Sequence, residues 1–366
     1  MQGEAGIPTG TELNVDLGGN CYSGLEHRIV RRGLELGFTN VGFAALRDYP
    51  EVLEEASRRP NYGIFTQGDD SLLARLARAK TLNPWADSVV CATLGYAGVD
   101  YPENLLASVA RTYLSRAYTP QPGTAHAFRI EELARFLEGE GMRVDAAQFR
   151  VPQRIACAEA GIVSFGRNNF AYTRQDGSFV ILVTMLVDAK LKTIGERAGD
   201  ECPSGCRRCI DACPTGAIVE PYKLDLHKCI LFNNQRFEPG AQEEIWDAMG
   251  ERIHGCDACQ AACPRNRAVL EKATAKDPFL ELLSKEFDLE RILALDDAYY
   301  EAVVRPVMYN YIKDRNVFRR NAAVALGNTG DARHVPALRK ARQAAEEPSV
   351  LRAIDWAIAK LEREGA

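Results

Sequence analysis

The sequence predicts an α+β protein that carries a cysteine-rich segment and ends in helices. Three observations lead there. Helical and strand periodicities mix in the first half without a regular βαβ alternation. Eight of the 11 cysteines fall between Cys202 and Cys263. After Pro278 the apolar residues recur at helical spacing to the end of the chain. The expected organisation is a mixed α/β unit over 1–198, a metal-held unit over 199–270 and a helical unit over 271–366.

Residues 1–20 are Gly-rich and polar, so they read as a loose arm without the apolar core of a leader peptide. No window approaches the roughly 18 apolar residues that span a membrane. With 46% apolar and 26% charged residues, the expectation is a cytoplasmic protein with no membrane partner. Ser23-x-x-Glu26 is a capping-box signal. Leu25, Ile29, Val30 and Leu34 follow at helical spacing, and Gly37 closes the helix. Val41–Ala44 and the apolar run Ser88–Leu94 read as strands. Helices are expected over Asn104–Ser115 and His126–Leu137, the second presenting Ile130, Leu133, Phe136 and Leu137 on one face. Asn169–Thr173 and Ser178–Asp188 flank Arg174–Gly177 as the arms of a hairpin.

From Pro203 to Asn266 periodicity gives way to Cys, Pro and Gly, which predicts loops held by metal more than by a core. Arg320–Gly327, Val335–Ala345 and Val350–Leu361 then read as helices, with a break at Gly327–Asp331. They suggest one or two HEAT-like repeats. Charge is uneven. Arg305–Ala366 holds 12 Lys+Arg against 7 Asp+Glu, whereas the whole chain is −5. Arg305, Lys313, Arg315, Arg319, Arg320, Arg333, Arg339, Lys340 and Arg342 would suit a polyanion backbone. The plainer alternative is a set of solvated helix faces.

The cysteines are the most specific signal. One set is Cys202-x3-Cys206-x2-Cys209-x3-Cys213-Pro214. The second is Cys256-x2-Cys259-x3-Cys263-Pro264, with Cys229 between them. Bacterial two-cluster ferredoxins use C-x2-C-x2-C-x3-C-P runs whose fourth Cys ligates the other cluster. That ferredoxin-like pattern assigns Cys202, Cys206, Cys209 and Cys263 to one 4Fe–4S cluster, and Cys213, Cys229, Cys256 and Cys259 to the other. The first spacing is one residue longer than the pattern. Structural zinc is the competing reading, but zinc has no use for a C-x3-C-P end occurring twice. Cys21, Cys91 and Cys157 stand in apolar surroundings and read as core thiols. From the residues alone the function is one-electron transfer, and a non-catalytic electron carrier remains open. A carrier would not need the 200 residues that precede the clusters.

The motifs resemble those of the epoxyqueuosine reductases. Cys206-Arg-Arg-Cys209-Ile-Asp-Ala-Cys213-Pro-Thr-Gly-Ala-Ile218 resembles that family's first cluster motif. Gly255-Cys-Asp-Ala-Cys259-Gln-Ala-Ala-Cys263-Pro-Arg-Asn266 resembles the second. Leu224-Asp-Leu-His-Lys-Cys229-Ile resembles its lone-Cys segment, and Arg319-Arg-Asn-Ala-Ala-Val-Ala-Leu-Gly-Asn328 the start of its C-terminal repeat. Pro84–Val90 and Ala160-Gly-Ile-Val-Ser-Phe-Gly-Arg-Asn168 are looser matches.

The resemblance implies a nitroreductase-like domain binding base-off cobalamin, with Ala160, Gly161, Gly166, Arg167 and Asn168 as cofactor-binding residues. It implies electrons passing from flavodoxin or ferredoxin through two clusters to cobalt, and reductive deoxygenation of epoxyqueuosine in tRNA. The reductive dehalogenases share this cofactor set, so a small-molecule corrinoid reductase is the alternative. The family's catalytic Asp would fall near Ala147. Asp145 lies two residues away and is the candidate donor, with the phenols of Tyr172 and Tyr309 as alternatives. Ile162–Phe165 also lacks the family's Gly-Trp pair.

Overall fold

The structure is a computed structural model that describes residues 24–63, 68, 70–118, 120, 122–192, 202–235, 243–272, 274–308 and 314–364. The arm expected at 1–20, Cys21, the cap Ser23, Tyr309 and Lys313 lie outside the described residues.

Helix α1 (Gly24–Glu35) buries Ile29 and Val30 and ends before Gly37, whose φ is +88°. Strand β1 (Asn40–Ala45) pairs antiparallel with β2 (Ser88–Gly95). Helices α2 (Glu103–Ser108), α3 (Arg111–Leu114) and α4 (Ala125–Gly139) follow. Then come β3 (Val144–Asp145), α5 (Gln153–Glu159) and the two-residue strands β4 (Ser164–Phe165) and β5 (Ala171–Tyr172). Strand β6 (Val180–Val187) completes a sheet of order β1-β2-β6-β3 in which every pairing is antiparallel. The unit is therefore α+β rather than α/β.

Side chains alternate across the central strands, as the two-residue period requires. Val90, Ala92 and Leu94 pack under α1 and α4 with Leu133 and Leu137, whereas Val89 and Cys91 pack under α5 with Ala156 and Cys157. Cys91 and Cys157 are thus enclosed in the core, and burial pushes the Cys91 thiol well up.

Two expected elements differ. The helix over Asn104–Ser115 is broken, because Val109 is extended and forms a parallel bridge with His254. The Ala110 amide donates to the His254 carbonyl at 2.9 Å, so tertiary pairing overrides helical continuity there. The hairpin around Arg174–Gly177 is not formed as a two-strand unit. β5 pairs with β4 and β6 pairs with β2, leaving only a bridge between Thr173 and Gly177. The turn instead carries the chain from a small ribbon into the main sheet. Gly177 makes this turn feasible: its φ is +56°, and a Cβ there would lie 2.1 Å from Asn266 Oδ1.

The cysteine segment holds α6 (Arg208–Asp211), β7 (Ile218–Glu220), β8 (Lys223–Leu224), α7 (Ala258–Ala261) and α8 (Pro264–Glu271). Its own apolar cluster is small, Cys209, Ile210 and Ile218 with Leu224 and Cys259 against them. A much larger core joins Leu105 and Leu114 to Ile230, Trp246, Met249 and Ile253 and to the C-terminal helices. Those are α9 (Asn316–Asn328), α10 (Val335–Ala344) and α11 (Pro348–Glu364). α9 and α11 cross closely at Gly327, where a Cβ would come within 2.9 Å of the Ala357 backbone. Among the described residues no helix is long and apolar enough to cross a membrane.

Most of the C-terminal cations named in the sequence are engaged within the chain, as the plainer alternative has it for part of them. Arg320 is buried, and its guanidinium donates to the Asn233 carbonyl at 2.7 Å and to Asn321 Oδ1. Arg319 Nε donates to the Leu293 carbonyl. Arg305, Arg315, Arg333, Arg339 and Arg342 pair with Glu301, Asp297, Asp331, Glu362 and Asp355.

Candidate metal centre

The two Cys-Pro runs fold alike. After Arg207, Ile210 N reaches Arg207 O at 2.8 Å, Ala212 N reaches Arg208 O at 3.1 Å and Cys213 N reaches Ile210 O at 3.2 Å. After Asp257 the corresponding bonds are Gln260 to Asp257 at 2.9 Å, Ala262 to Ala258 at 3.1 Å and Cys263 to Gln260 at 3.2 Å. One helical turn carries the middle cysteine of each run, and the last turns away just before proline. Equal spacing thus produces equal backbone, and the two loops form an internal repeat.

The electrostatics sort the thiols. Burial raises the Cys209 thiol most, and then Cys263, Cys202 and Cys206 raise it further. Burial also raises Cys229, to about 11, with added effects of Cys256 and Cys213. Burial pushes Cys259 well up, followed by Cys256, Cys229, Cys213 and then Cys209. Cys209, Cys229 and Cys259 each sit in a group of sulfurs whose negative charges would repel, so these three thiols favour the protonated form until a cation offsets that charge. Two such groups, touching through Cys209 and Cys259, have the donor chemistry of two iron–sulfur clusters.

The segment Ala160–Ser178 lies directly against both cysteine loops. Arg167 Nη1 donates to the Cys206 carbonyl at 2.9 Å, and the Tyr222 amide donates to the Arg167 carbonyl at 2.8 Å. Asn168 Nδ2 donates to the Tyr172 hydroxyl at 2.9 Å and reaches the Cys259 carbonyl at 3.4 Å. Asn266 and Gln260 both donate to Ser178 Oγ, at 2.8 and 2.9 Å. Sequence reasoning quoted Gln260 and Asn266 only as parts of a motif and did not foresee this junction. Ala160 is buried at the end of α5 and Gly161 follows with φ +74°.

Two donors of this segment, Arg167 Nε and Asn169 Nδ2, are buried and meet no protein acceptor. A cofactor with amide or phosphate oxygens, such as a corrinoid, fits donors of that kind.

The candidate acids separate. Asp145 sits at the sheet edge, where Oδ2 pairs with Arg150 Nε at 2.9 Å and Oδ1 accepts from the Ala147 amide at 2.9 Å. A cleft of about 300 Å³ opens beside it, along the part of β6 that the short β3 leaves unpaired. Ala146, Gln148, Gln153, Thr184, Ile130 and Glu131 line it, and Asp145 does not. Tyr172 is enclosed, 2% exposed, and faces the cysteine loops instead of the cleft.

Residues 201–266 match the model of a 4Fe-4S double cluster binding domain. Over 361 residues the chain is 30% identical to epoxyqueuosine reductase of Shigella dysenteriae, covering 93% of this chain and 91% of that protein. The enzyme of Escherichia coli is 29% identical over the same length. Epoxyqueuosine reductase of Bacillus subtilis, solved with its catalytic aspartate loop swung out of the active site, superposes with a TM-score of 0.73 at 23% identity, over 92% of this chain and 90% of that one. An epoxyqueuosine reductase solved with an epoxyqueuosine-modified tRNA-Tyr stem loop gives 0.70 at 22% identity, over 92% and 99%. Fold, cysteine loops and full-length similarity agree, and the chain belongs to the epoxyqueuosine reductase family.

Proposed function

We propose that this chain is a cobalamin- and 4Fe–4S-dependent reductase that removes the epoxide oxygen of epoxyqueuosine in tRNA. The observation that carries this is the junction of the sheet unit with the cysteine loops. Segment Ala160–Ser178 touches the backbone of Cys206 and Cys259 directly, so an electron leaving either loop has a short path to a group held on that segment. One cluster is assigned to Cys202, Cys206, Cys209 and Cys263, and the other to Cys213, Cys229, Cys256 and Cys259. The mutual effects of their thiols support this division. Ala160, Gly161, Gly166, Arg167 and Asn168 are proposed to hold the corrinoid, together with Asn169. Bound there, cobalamin would supply low-valent cobalt chemistry for the reduction, within short reach of both cysteine loops. An external flavodoxin or ferredoxin supplies the electrons. The sheet with its two helical faces is read as nitroreductase-like, and the crossed pair α9 and α11 as HEAT-like.

Asp145 is the proposed proton donor. It begins the stretch before α5, as the catalytic aspartate of the Bacillus subtilis relative lies on a loop that was captured swung out. The ion pair to Arg150 must open for Asp145 to reach the cleft lined by its neighbours Ala146 and Gln148. In the relative solved with a tRNA stem loop, the bound molecule carries the epoxyqueuosine itself, which supports tRNA as the carrier of the substrate.

The deciding experiment is anaerobic turnover with cobalamin, a low-potential reductant and epoxyqueuosine-bearing tRNA, read as queuosine by mass spectrometry. Product is expected with the native chain and is expected to be lost in Asp145→Asn with iron content unchanged. Undiminished turnover in Asp145→Asn removes that residue from the proton step. No product from the fully loaded native chain, with reduction of a small organohalide instead, moves the substrate to the dehalogenase-like alternative. Cys213→Ser tests the ligand division, since it should abolish the EPR signal of the cluster built by Cys229, Cys256 and Cys259. Loss of the other signal would reverse the assignment.

A further inference from the structure

Strand β6 keeps part of one edge open. The amides of Asp87 and Tyr96 donate to the carbonyls of Val187 and Phe179, at 2.8 and 2.9 Å. The odd-numbered residues of this stretch therefore turn their backbone groups toward β2 and its flanks. Hydrogen-bonding direction alternates along a strand, so Leu182 and Thr184 turn theirs the other way. β3 covers that side only at Leu186 and Val187. The Gln153 side chain marks the direction, since its Nε2 donates to the Leu182 carbonyl at 3.2 Å. The amides of Leu182 and Thr184, roughly 7 Å apart, thus face the cleft of about 300 Å³ that both residues line.

The side chains around this strip are acceptors above an apolar wall. Gln153 spends Nε2 on the carbonyl, with Thr184 Oγ1 also at 3.5 Å, which leaves Oε1 to accept from a ligand. Ala127, Ile130 and Glu131 share one stripe of α4 and line the opposite side. The Glu131 carboxylate is held only by Arg135 at 3.4 Å, and both side chains are more than half exposed. Such a pair is too weak to keep the carboxylate from a ligand.

We propose that this cleft seats the base of the substrate, and that Glu131 and Gln153 select a guanine-type hydrogen-bonding edge. The inference rests on the reductase reading above, because the base of epoxyqueuosine is a substituted 7-deazaguanine. A guanine-type base carries a carbonyl beside a ring N–H and an exocyclic amino group. A β6 amide donates to that carbonyl, while the Glu131 carboxylate and Gln153 Oε1 accept from the N–H groups. An adenine-type base presents a ring-nitrogen lone pair where the ring N–H stood, and a carboxylate repels it. Ala146 and Gln148 line the same cleft, so a base seated there lies beside the stretch that carries Asp145.

The test uses the full iron-loaded chain with cobalamin, titrated with 7-deazaguanosine and with 7-deazaadenosine and followed by ligand-observed NMR. The native chain is expected to bind the first at least about tenfold more tightly, the worth of one hydrogen bond to a charged group. Glu131→Ala should erase that preference with iron content unchanged, and should raise KM for epoxyqueuosine-bearing tRNA more than it lowers kcat. Gln153→Leu, which keeps the side-chain volume, should weaken the same nucleoside. Equal affinity for the two nucleosides, or no saturable binding of 7-deazaguanosine, overturns the inference. So does an unchanged preference in both variants. Native turnover of the tRNA with KM unmoved in both variants also overturns it and leaves the reductase reading intact. If the native chain shows the nucleoside preference but never turns over the tRNA, the reductase reading falls and the base-binding cleft stands.

Discussion

An arginine whose donors are spent on backbone and amide oxygens inside the protein has none to offer a phosphate. Arg320 is 3% exposed and its pKa is drawn down to about 10 by burial, so it remains charged at neutral pH. It and its neighbour Asn321 bind the chain around the lone cysteine and the second loop. Asn321 Nδ2 donates to the carbonyls of Asn234 at 2.7 Å and Ile253 at 2.8 Å, and Asn234 in turn exchanges bonds with Gly255. The pair thus clamps the segments that carry Cys229 and Cys256. Arg320→Ala is expected to cost about 2–3 kcal/mol, because it strands buried oxygens, and to weaken retention of the second cluster. Denaturant unfolding and iron analysis check this. Loss of tRNA affinity with stability and iron unchanged would restore Arg320 to a phosphate-binding role. Sequence composition showed nine cations in this stretch but not their partners. A charge count records neither depth nor pairing, and exposed pairs such as Arg339 with Glu362 are weak enough to leave such a stretch looking free.

At the scale of elements, what could be read ahead was whatever depends on local spacing. The apolar run of β2 and the faces of α1 and α4 are set by neighbours within a few residues. The cysteine turns are equally local, which is why the candidate ligands could be named before their geometry. The break between α2 and α3 could not be read, because the partner that pulls Val109 into an extended shape is His254, far along the chain. The same holds for the failed hairpin, whose turn is shaped around Asn266. A local signal also joins α9 to α10. Asp331 caps the 3₁₀ turn Ala332–His334 by accepting from the Arg333 amide at 3.0 Å. The Arg333 side chain and that amide hold its carboxyl at about 2, below its ordinary value. For a carboxylate with a depressed folded pKa, the stabilisation is present above the unfolded value and is lost as pH falls through the folded one. The native chain should therefore lose its advantage over Asp331→Ala between about pH 4 and 2. Melting curves across that window check it, and a constant difference between the two would remove the cap from the stability of this turn.

At the scale of the whole molecule, the cysteine segment belongs to two different bodies. Residues around Cys209 and Ile218 have only a few buried apolar partners, far less than a segment of that size needs to hold itself together. Ile230, Trp246, Met249 and Ile253 instead lie in the large core shared with α2, α3 and the C-terminal helices. Iron must then stabilise the two parts unequally. Where metal binding supplies the folding free energy, its removal unfolds what has no other core. Oxidative removal of the clusters should release hydrogen-exchange protection over Cys202–Leu224 and around Cys259–Cys263. Residues 230–235 and 243–253 and strands β2 and β6 should keep theirs. The boundary should fall at Ile230, where the first side chain enters the shared core, although Cys229 beside it is a proposed ligand. Exchange measured by mass spectrometry on loaded and iron-free protein resolves these peptides. Equal loss across 202–266 would mean that the clusters, rather than the shared core, hold Trp246 and Met249 in place. No loss anywhere would mean that the loops are preformed without metal. In that case the thiol groupings described for them would be a property of the polypeptide, ready to receive iron without refolding.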